Sequence, residues 1–208
     1  MKLDILAFGA HPDDVELGAA ATIAKEISLG KKVGIVDLTQ GELGTRGSKE
    51  LRKVEASKAA KVLGVSLREN LKFADGFFVN DKEHQIEVVK LIRKYKPEIV
   101  LCNAVDDRHI DHGKGSKLVS DACFLSGLQK IETDFEGVKQ EKWRPKLVYH
   151  YIQWKNTEPD FVVDVSGFID VKMAAVLAYS SQFYDPNSKE LDTPISSKNF
   201  TDSVQYRS

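Results

Sequence analysis

The sequence LDILAFG at positions 3–9, followed by AHPDDVELG at positions 10–18, decides how the rest of the chain is interpreted. Positions 3–9 form a short apolar run of the kind that makes a buried strand, and positions 15–29 carry apolar residues at helical spacing. Gly30 then fits the end of that helix. A strand that passes through a polar turn directly into a helix is the repeating unit of folds with a parallel sheet.

Strand-like and helix-like segments alternate along the rest of the chain in the same way. Apolar runs predict further strands at 33–38, 70–73, 99–104, 147–154 and 161–165. Helical periodicity predicts helices at 49–63, 83–95 and 116–125. Two further helices are predicted, one after an N-cap at Ser166 and one at the start of the final segment NFTDSVQYRS. We therefore predict a Rossmann-like three-layer α/β fold with a mostly parallel sheet, formed as a single domain over residues 1–208.

Composition limits the partners and the compartment that we expect. Thirty lysines and arginines against 31 aspartates and glutamates give a net charge of −1, so the chain lacks the positive field that nucleic acid or an anionic membrane requires. The sequence has no apolar run of the roughly 18–20 residues that a transmembrane helix needs, and its first residues turn polar too early for a signal peptide. Cys102 and Cys123 form neither a disulfide framework nor a CxxC pair. We expect a cytoplasmic protein with no nucleic-acid or membrane partner.

Three polar loops follow predicted strands, at 10–16, 40–48 and 106–114. Ligands of open parallel sheets bind beyond the carboxyl ends of the strands, so these loops are expected to meet in one crevice. The first loop lacks the GxGxxG of dinucleotide-binding folds and places carboxylates at the start of a helix instead. Carboxylates in that position repel a phosphate and favour a cation.

Two of the loops contain clusters of metal-binding side chains: His11, Asp13 and Asp14 in the first, and Asp106, Asp107, His109, Asp111 and His112 in the other. A catalytic zinc site uses three histidine or carboxylate ligands and leaves one position open. If His11, Asp14 and His112 hold the metal, Asp13 and His109 remain beside it as a base and an electrostatic partner. Spacing alone leaves open which aspartate binds the metal, and the ligand set also suits iron(II).

Each cluster also has a purely structural interpretation. The aspartates of the first turn could cap the following helix, and Asp111 could be an N-cap with the two histidines solvated around it. The two clusters together are more informative than either alone, because both follow strands and their side chains are complementary ligand types. A metal site shared between them is therefore the working hypothesis.

The chain resembles the LmbE-like (PIG-L) family of zinc-dependent N-acetylglucosamine deacetylases in three motifs and in their order. These motifs are AHPDDVELG at 10–18, GELGTRGS at 41–48 and DDRHIDHG at 106–113. The likeness extends to VSGFIDVKMAAVLAYSSQF at 165–183. The resemblance implies hydrolysis of the N-acetyl group of a small N-acetylglucosaminyl conjugate, with one zinc ion per chain. Within the family, the sequence is most similar to members that deacetylate N-acetylglucosaminyl malate in bacillithiol biosynthesis.

The resemblance also implies a role for each residue of the two clusters. The zinc ligands are His11, Asp14 and His112. Asp13 is the general base, and His109 stabilises the oxyanion, held protonated by Asp111 or Asp107. A metal-dependent carbohydrate-binding protein without catalysis is a weaker interpretation, because metal binding alone requires neither Asp13 nor His109.

Three arginines are candidates for substrate binding. Arg52 resembles the family arginine that holds the polar end of the substrate. Arg46 and Arg108 could bind a substrate carboxylate, although Arg46 could equally be solvated or paired locally and Arg108 could equally order the histidine cluster. The resemblance further implies a homo-oligomer, a hexamer or trimer, and we expect the chain to lack the C-terminal segment of the family.

Overall fold

The computed structural model describes residues 1–207 and consists of a five-stranded parallel sheet between two layers of helices. Its elements are β1 (Ile5–Gly9), α1 (Asp14–Ser28), β2 (Val33–Thr39), α2 (Lys49–Leu63), β3 (Leu67–Phe73), α3 (Lys82–Tyr95), β4 (Ile99–Cys102), α4 (Ile110–Ser126), β5 (Asp134–Phe135), β6 (Val138–Lys139), β7 (Leu147–His150), α5 (Ile169–Leu177) and α6 (Lys198–Tyr206). The strand order is β3-β2-β1-β4-β7, and each neighbouring pair is parallel. The predicted Rossmann-like α/β fold is confirmed.

The central strand β1 is buried on both faces, which is why its sequence is continuously apolar. Ile5 and Ala7 pack into a core with helices α1, α2 and α5. Leu6 and Phe8 point to the opposite face and pack with α3 and α4. Two hydrophobic cores therefore hold β1 rigidly and fix the position of the loop that follows it.

The carboxyl ends of β1, β2 and β4 meet at one edge of the sheet. Ala10, just after β1, accepts a hydrogen bond from Thr39 N at 3.0 Å, and Ala10 N donates to Asn103 Oδ1 at 2.8 Å. The loops after these three strands are thereby joined to one another. The predicted convergence of the polar loops is found in the structure.

Several predicted strands differ from the structure in extent or in kind. Strand β3 begins at Leu67 instead of 70, and β4 ends at Cys102 instead of 104. Strand β7 ends at His150 because its partner β4 ends at Cys102, the residue paired with it. Residues 161–165 are irregular, with Val162 82% exposed, because no strand of the described residues 1–207 pairs with them. The predicted N-cap at Ser166 is also wrong, since α5 begins at Ile169 after Phe168.

Helix α4 begins six residues earlier than predicted, at Ile110 instead of 116. His109 is its N-cap and accepts a hydrogen bond from Asp111 N at 3.2 Å. The alternative in which Asp111 itself is the N-cap is therefore wrong. Asp111 and His112 lie in the first helical turn, so their directions are set by a helix and not by a loop.

A buried ion network connects α1, β2 and β3 beneath the first polar turn. Arg68 donates to both carboxylate oxygens of Asp37, at 2.7 and 2.8 Å, and also pairs with Glu16. Tyr179 donates its hydroxyl to Glu16 at 3.1 Å. The two carboxylates raise the pKa of Arg68 well above its ordinary value even though burial opposes this shift. Within residues 1–207, no helix combines the length and apolar character needed to cross a membrane.

Candidate metal centre

The turn between β1 and α1 is held in an unusual conformation. His11 N donates to Asp14 Oδ2 at 2.9 Å, and Asp14 N donates back to His11 O at 3.2 Å. Between them Asp13 has φ 125° and ψ −21°, a backbone conformation that residues other than glycine rarely adopt. Such strain costs about 1–3 kcal/mol and is typical of functional sites. The turn brings the side chains of His11, Asp13 and Asp14 to the sheet edge together.

The rings of His11 and His112 lie close to the carboxylate of Asp14, each beside a different oxygen. His11 Nδ1 is 3.5 Å from Asp14 Oδ2, and His112 Nε2 is 3.1 Å from Asp14 Oδ1. A tetrahedral zinc ion with bonds of about 2.0–2.1 Å separates its ligand atoms by about 3.3 Å. One ligand nitrogen each from His11, His109 and His112 also lies within 4.8 Å of the others. The residues present therefore fit a divalent cation such as zinc.

The far nitrogen of each of these two histidines is bonded to a carboxylate. His112 Nδ1 is 2.6 Å from Asp107 Oδ2. His11 Nε2 is 3.1 Å from Asp75 Oδ1 and 3.5 Å from Asp111 Oδ2. Metal-binding histidines commonly carry such a carboxylate on the other nitrogen, where it fixes the ring and increases its basicity. His11, Asp75 and Asp111 also form a second group that could hold a cation.

Two side-chain amides hold the carboxylate of Asp14. Asn103 Nδ2 donates to Oδ2 and Gln153 Nε2 donates to Oδ1, each at 3.0 Å. Asn103 follows β4, and Gln153 lies beyond the end of β7. Each oxygen of Asp14 is thus oriented by an amide from a different strand end.

The electrostatics of this pocket favour a cation. Burial alone would lower the pKa of His11, but hydrogen bonds to Asp111, Asp14 and Asp75 raise it well above its usual value. The pKa of His112 is raised against burial by the charge of Asp14. Burial would raise the pKa of Asp14, but the nearby histidines hold it well below its usual value. Positive charge, on a protonated ring or on a metal ion, is stabilised here.

The surroundings of Asp13 favour its neutral form, whereas those of Asp14 favour the anion. Burial raises its pKa from 3.8 to about 7, a shift that the charge of Arg52 partly opposes. Arg52 is 6% exposed and donates through Nη1 to Asp13 Oδ2 at 3.1 Å and to Pro12 O at 2.8 Å. Asp13 can therefore exchange a proton near neutral pH.

His109 packs beside the other two histidines, with its ring 4.5 Å from His11 and 5.3 Å from His112. Its Nδ1 accepts the N–H of Asp111, so the proton of the neutral ring is on Nε2. Burial, with the positive charges of the neighbouring histidines, lowers its pKa. The charge of Asp111 raises the pKa of His109, in the direction expected for a carboxylate that favours the protonated ring, but burial and the neighbouring histidines outweigh it.

The other two predicted arginines contact residues outside the histidine cluster. Arg46 is buried and bonded to Ser188 Oγ, with its Nε 3.5 Å from Glu190. Arg108 is exposed and lies over the ring of Trp154, 5.4 Å from its centroid. Of the three arginines, only Arg52 contacts a residue of the first polar turn in the described contacts.

Three residues of the site were missed in the sequence: Asp75, Asn103 and Gln153. Asp75 follows β3 and could have been found by the strand-end rule that identified the other loops. Asn103 could have been noticed as a polar residue ending an apolar run. Gln153 gives no comparable signal, because it lies inside 147–154, which the apolar alternation predicts as strand.

A profile of the PIG-L family, described as GlcNAc-PI de-N-acetylase, matches residues 6–123, which is more than half of the chain. The chain belongs to the PIG-L family. The match covers both metal-binding clusters, and the family resemblance stated from the motifs is confirmed. The assignment of the chain to an N-deacetylase class of hydrolase is confirmed at the level of the family.

Relatives of this PIG-L chain include proteins of more than one activity. It is 31% identical to the diacetylchitobiose deacetylase of Thermococcus kodakarensis, over 86% of this chain and 70% of that protein. It is 26% identical to the 4-oxalmesaconate hydratase of Pseudomonas putida, over 85% of this chain and 73% of that protein. Among solved structures, the conserved protein TT1542 from Thermus thermophilus is 38% identical, with a TM-score of 0.81, over 87% of this chain and 80% of that one.

Proposed function

We propose that this protein is a zinc-dependent hydrolase that removes the N-acetyl group from an N-acetylglucosaminyl conjugate, with N-acetylglucosaminyl malate of bacillithiol biosynthesis as the leading substrate. One observation carries the proposal. His11 and His112 lie 3.5 and 3.1 Å from the two carboxylate oxygens of Asp14, and Asp13, whose pKa burial raises to about 7, is the preceding residue of the chain. Metal-assisted hydrolysis needs this combination of a ligand set and a separate base. Iron(II) remains the alternative metal for the same ligands.

When bound, the metal ion supplies Lewis acidity at the acetyl carbonyl and lowers the pKa of water. Asp13 takes the proton of the attacking water, and we assign this proton to Oδ1 because Oδ2 faces Arg52. As the C–N bond breaks, Asp13 gives the proton to the departing amine, so acetate and a free amino sugar result. No covalent intermediate with the protein is required.

His109 is proposed to stabilise the negative charge that develops on the carbonyl oxygen. Its neutral ring carries the proton on Nε2 and can donate a hydrogen bond to that oxygen. Asp111 contributes by holding the ring, since its backbone N–H donates to Nδ1 at 3.2 Å. A donor fixed before the reaction stabilises the transition state without reorganisation.

The arginines and one aromatic residue are proposed to select the substrate. Trp154 is 41% exposed, and because Phe200 stacks on its ring and Arg108 lies over it, we propose that it positions Arg108 at the rim of the site. Arg108, above that ring, is placed to bind a substrate carboxylate. Arg52 is proposed to hold the polar end of the sugar beside Asp13, and Arg46 to order the surrounding loop through Ser188 and Glu190.

A second candidate function is deacetylation of another N-acetylated sugar. The similarity to a diacetylchitobiose deacetylase favours this candidate. The two candidates share the metal centre and differ only in the group attached to the N-acetylglucosamine ring. Substrate comparison therefore distinguishes them directly.

The test is acetate release by the zinc-loaded protein from N-acetylglucosaminyl malate, beside N-acetylglucosamine and diacetylchitobiose under the same conditions. Fast release from the malate conjugate alone supports the leading proposal, and fast release from diacetylchitobiose supports the second. No release from any of the three, by folded and metal-loaded protein, would contradict both substrate assignments.

We also propose a cytoplasmic location and a homo-oligomer, trimer or hexamer, for this enzyme. Both cysteines are free and buried, as suits a reducing compartment. The oligomer rests on the family resemblance, and light scattering on the purified protein tests it.

A further inference from the structure

A short segment after β7 contacts two different groups of the metal centre. This segment, residues 153–156, is called the strap and begins two residues after Tyr151. Tyr151 donates its hydroxyl to Phe8 O at 2.8 Å and its N–H to Cys102 O at 3.0 Å, so the start of the strap is anchored to the sheet. The strap has no helical or strand structure of its own. Its conformation therefore depends on contacts with its neighbours.

The first contact of the strap is with Asp14. Gln153 Oε1 accepts a hydrogen bond from Asn103 Nδ2 at 2.8 Å, which leaves Gln153 Nε2 to donate to Asp14 Oδ1 at 3.0 Å. Because the acceptor end of the Gln153 amide is already bonded, the amide has one orientation. Gln153 thus holds one oxygen of Asp14 in a fixed direction.

The second contact is with Asp107, the carboxylate bonded to His112. Lys155 N donates to Asp107 Oδ1 at 2.8 Å, and Trp154 N lies 3.5 Å from Oδ2. Asp107 Oδ2 is in turn 2.6 Å from His112 Nδ1. The strap backbone therefore fixes the carboxylate that orients the His112 ring.

The outer side of the strap is held by helix α6. Arg207, directly after this helix, lies with Nη2 3.1 Å from Gln153 O, 2.8 Å from Trp154 O and 2.9 Å from Asn156 Oδ1. The ring of Phe200 on α6 stacks on Trp154, with centroids 5.2 Å apart and planes 13° apart. The strap thus lies between α6 and the metal centre.

We infer that Gln153 is a positioning residue for Asp14, and that α6, through Arg207 and the strap, sets how tightly the centre binds its metal. The inference rests on the proposed function, since it takes Asp14 and His112 as ligands. Loss of outer groups that orient ligands lowers metal affinity about 10–100-fold in other metal sites. The C-terminal helix, far from the sheet edge in sequence, therefore acts on metal affinity without touching the metal.

The experiment measures the zinc dissociation constant of the full chain by competition with a chromophoric chelator. The variants are Gln153→Met, which keeps the length but loses the amide, and Arg207→Ala. Arg144→Ala is the matched control, because Arg144 is also exposed and donates through Nη2 to a backbone carbonyl, that of Phe124, at 2.9 Å. Thermal midpoints of the metal-free proteins are recorded alongside, because a merely structural role would move them.

We expect the dissociation constant to rise about 10–100-fold in Gln153→Met and about 3–10-fold in Arg207→Ala, with Arg144→Ala within about twofold of wild type. Metal-free midpoints should stay close to the wild-type value. Unchanged zinc affinity in both Gln153→Met and Arg207→Ala, or losses of affinity matched by losses of metal-free stability, would overturn the inference. If Gln153→Met fails to fold, Arg207→Ala at its exposed position decides the question.

The two proposals fail in different ways. A wild-type protein that binds zinc but releases no acetate contradicts the proposed function, while the ratio of dissociation constants still supports or overturns the role of the strap. Full acetate release by the wild-type protein, together with unaltered zinc affinity in the variants, contradicts only the proposed role of the strap in metal binding.

Discussion

Asp13 and Asp14 are adjacent carboxylates in opposite environments. Burial raises the pKa of Asp13 to about 7, whereas the histidines around Asp14 keep its pKa well below the usual value. Asp14 therefore remains an anion that suits a cation, and Asp13 can gain and lose a proton. Two carboxylates with pKa values pushed apart in this way typically divide the roles of ligand and acid or base.

This division predicts separate effects of two substitutions. Asp13→Asn should keep the metal and lower acetate release at least about 100-fold, because a general base contributes that much to the rate. His112→Ala should lose both metal and activity, because it removes a proposed ligand. Metal content by mass spectrometry and acetate release measure the two effects. An Asp13→Asn protein that purifies without metal would show that the roles of the two aspartates are assigned wrongly.

At the level of elements, the buried Arg68 joins α1, β2 and β3. Its side chain and those of Glu16 and Asp37 are at most 8% exposed. Arg68→Met would leave two buried carboxylates without their cation, and we expect the free energy of unfolding to fall by about 3–5 kcal/mol.

Urea denaturation measures this loss. Lys139→Met, which breaks the exposed pair with Glu132, is the control and should change the free energy of unfolding far less. Equal effects of the two substitutions would mean that burial of the Arg68 network does not matter for stability.

Helix α1 approaches Tyr151 so closely that only glycine fits at position 18. A Cβ atom there would lie 2.3 Å from Tyr151 Cδ2. Gly18→Ala should therefore displace the tyrosine and lower the free energy of unfolding by about 1–3 kcal/mol.

In a Tyr151→Ala background the sign should reverse, because alanine is favoured over glycine in a helix by about 1 kcal/mol. Urea denaturation of the four proteins gives the comparison. The same destabilisation in both backgrounds would rule out the ring contact as its cause.

The elements show which features the sequence could predict. Strands buried on both faces, such as β1, have continuous apolar runs, and their ends locate the polar loops. Residues 161–165 (FVVDV) are also mostly apolar, but a strand needs a partner, and only the folded chain shows that no strand within residues 1–207 lies beside them. Asn103 and Gln153 contribute through contact with Asp14, and their spacing in sequence contains no sign of that contact.

For the whole molecule, metal removal should lower thermal stability. A ligand at about 100 times its dissociation constant stabilises the folded state by about 2.7 kcal/mol. For a chain of this length that corresponds to a fall of about 5–10 °C in the thermal midpoint on addition of a chelator.

Differential scanning calorimetry with and without chelator measures the shift. The His112→Ala protein is the control and should give the same midpoint in both conditions. A wild-type midpoint that does not respond to chelator would contradict a metal centre that binds in the folded state.

The backbone of Asp13 has a consequence for attempts to engineer this protein. A glycine at position 13 would relax the positive φ and remove a carboxylate that burial disfavours, while Arg52 would keep its hydrogen bond to Pro12 O, so Asp13→Gly should withstand more heat while losing the proposed base. A library screened only for survival on heating would therefore enrich inactive enzymes at this position. Selection for durability must be paired with selection for turnover if the reaction is to be retained.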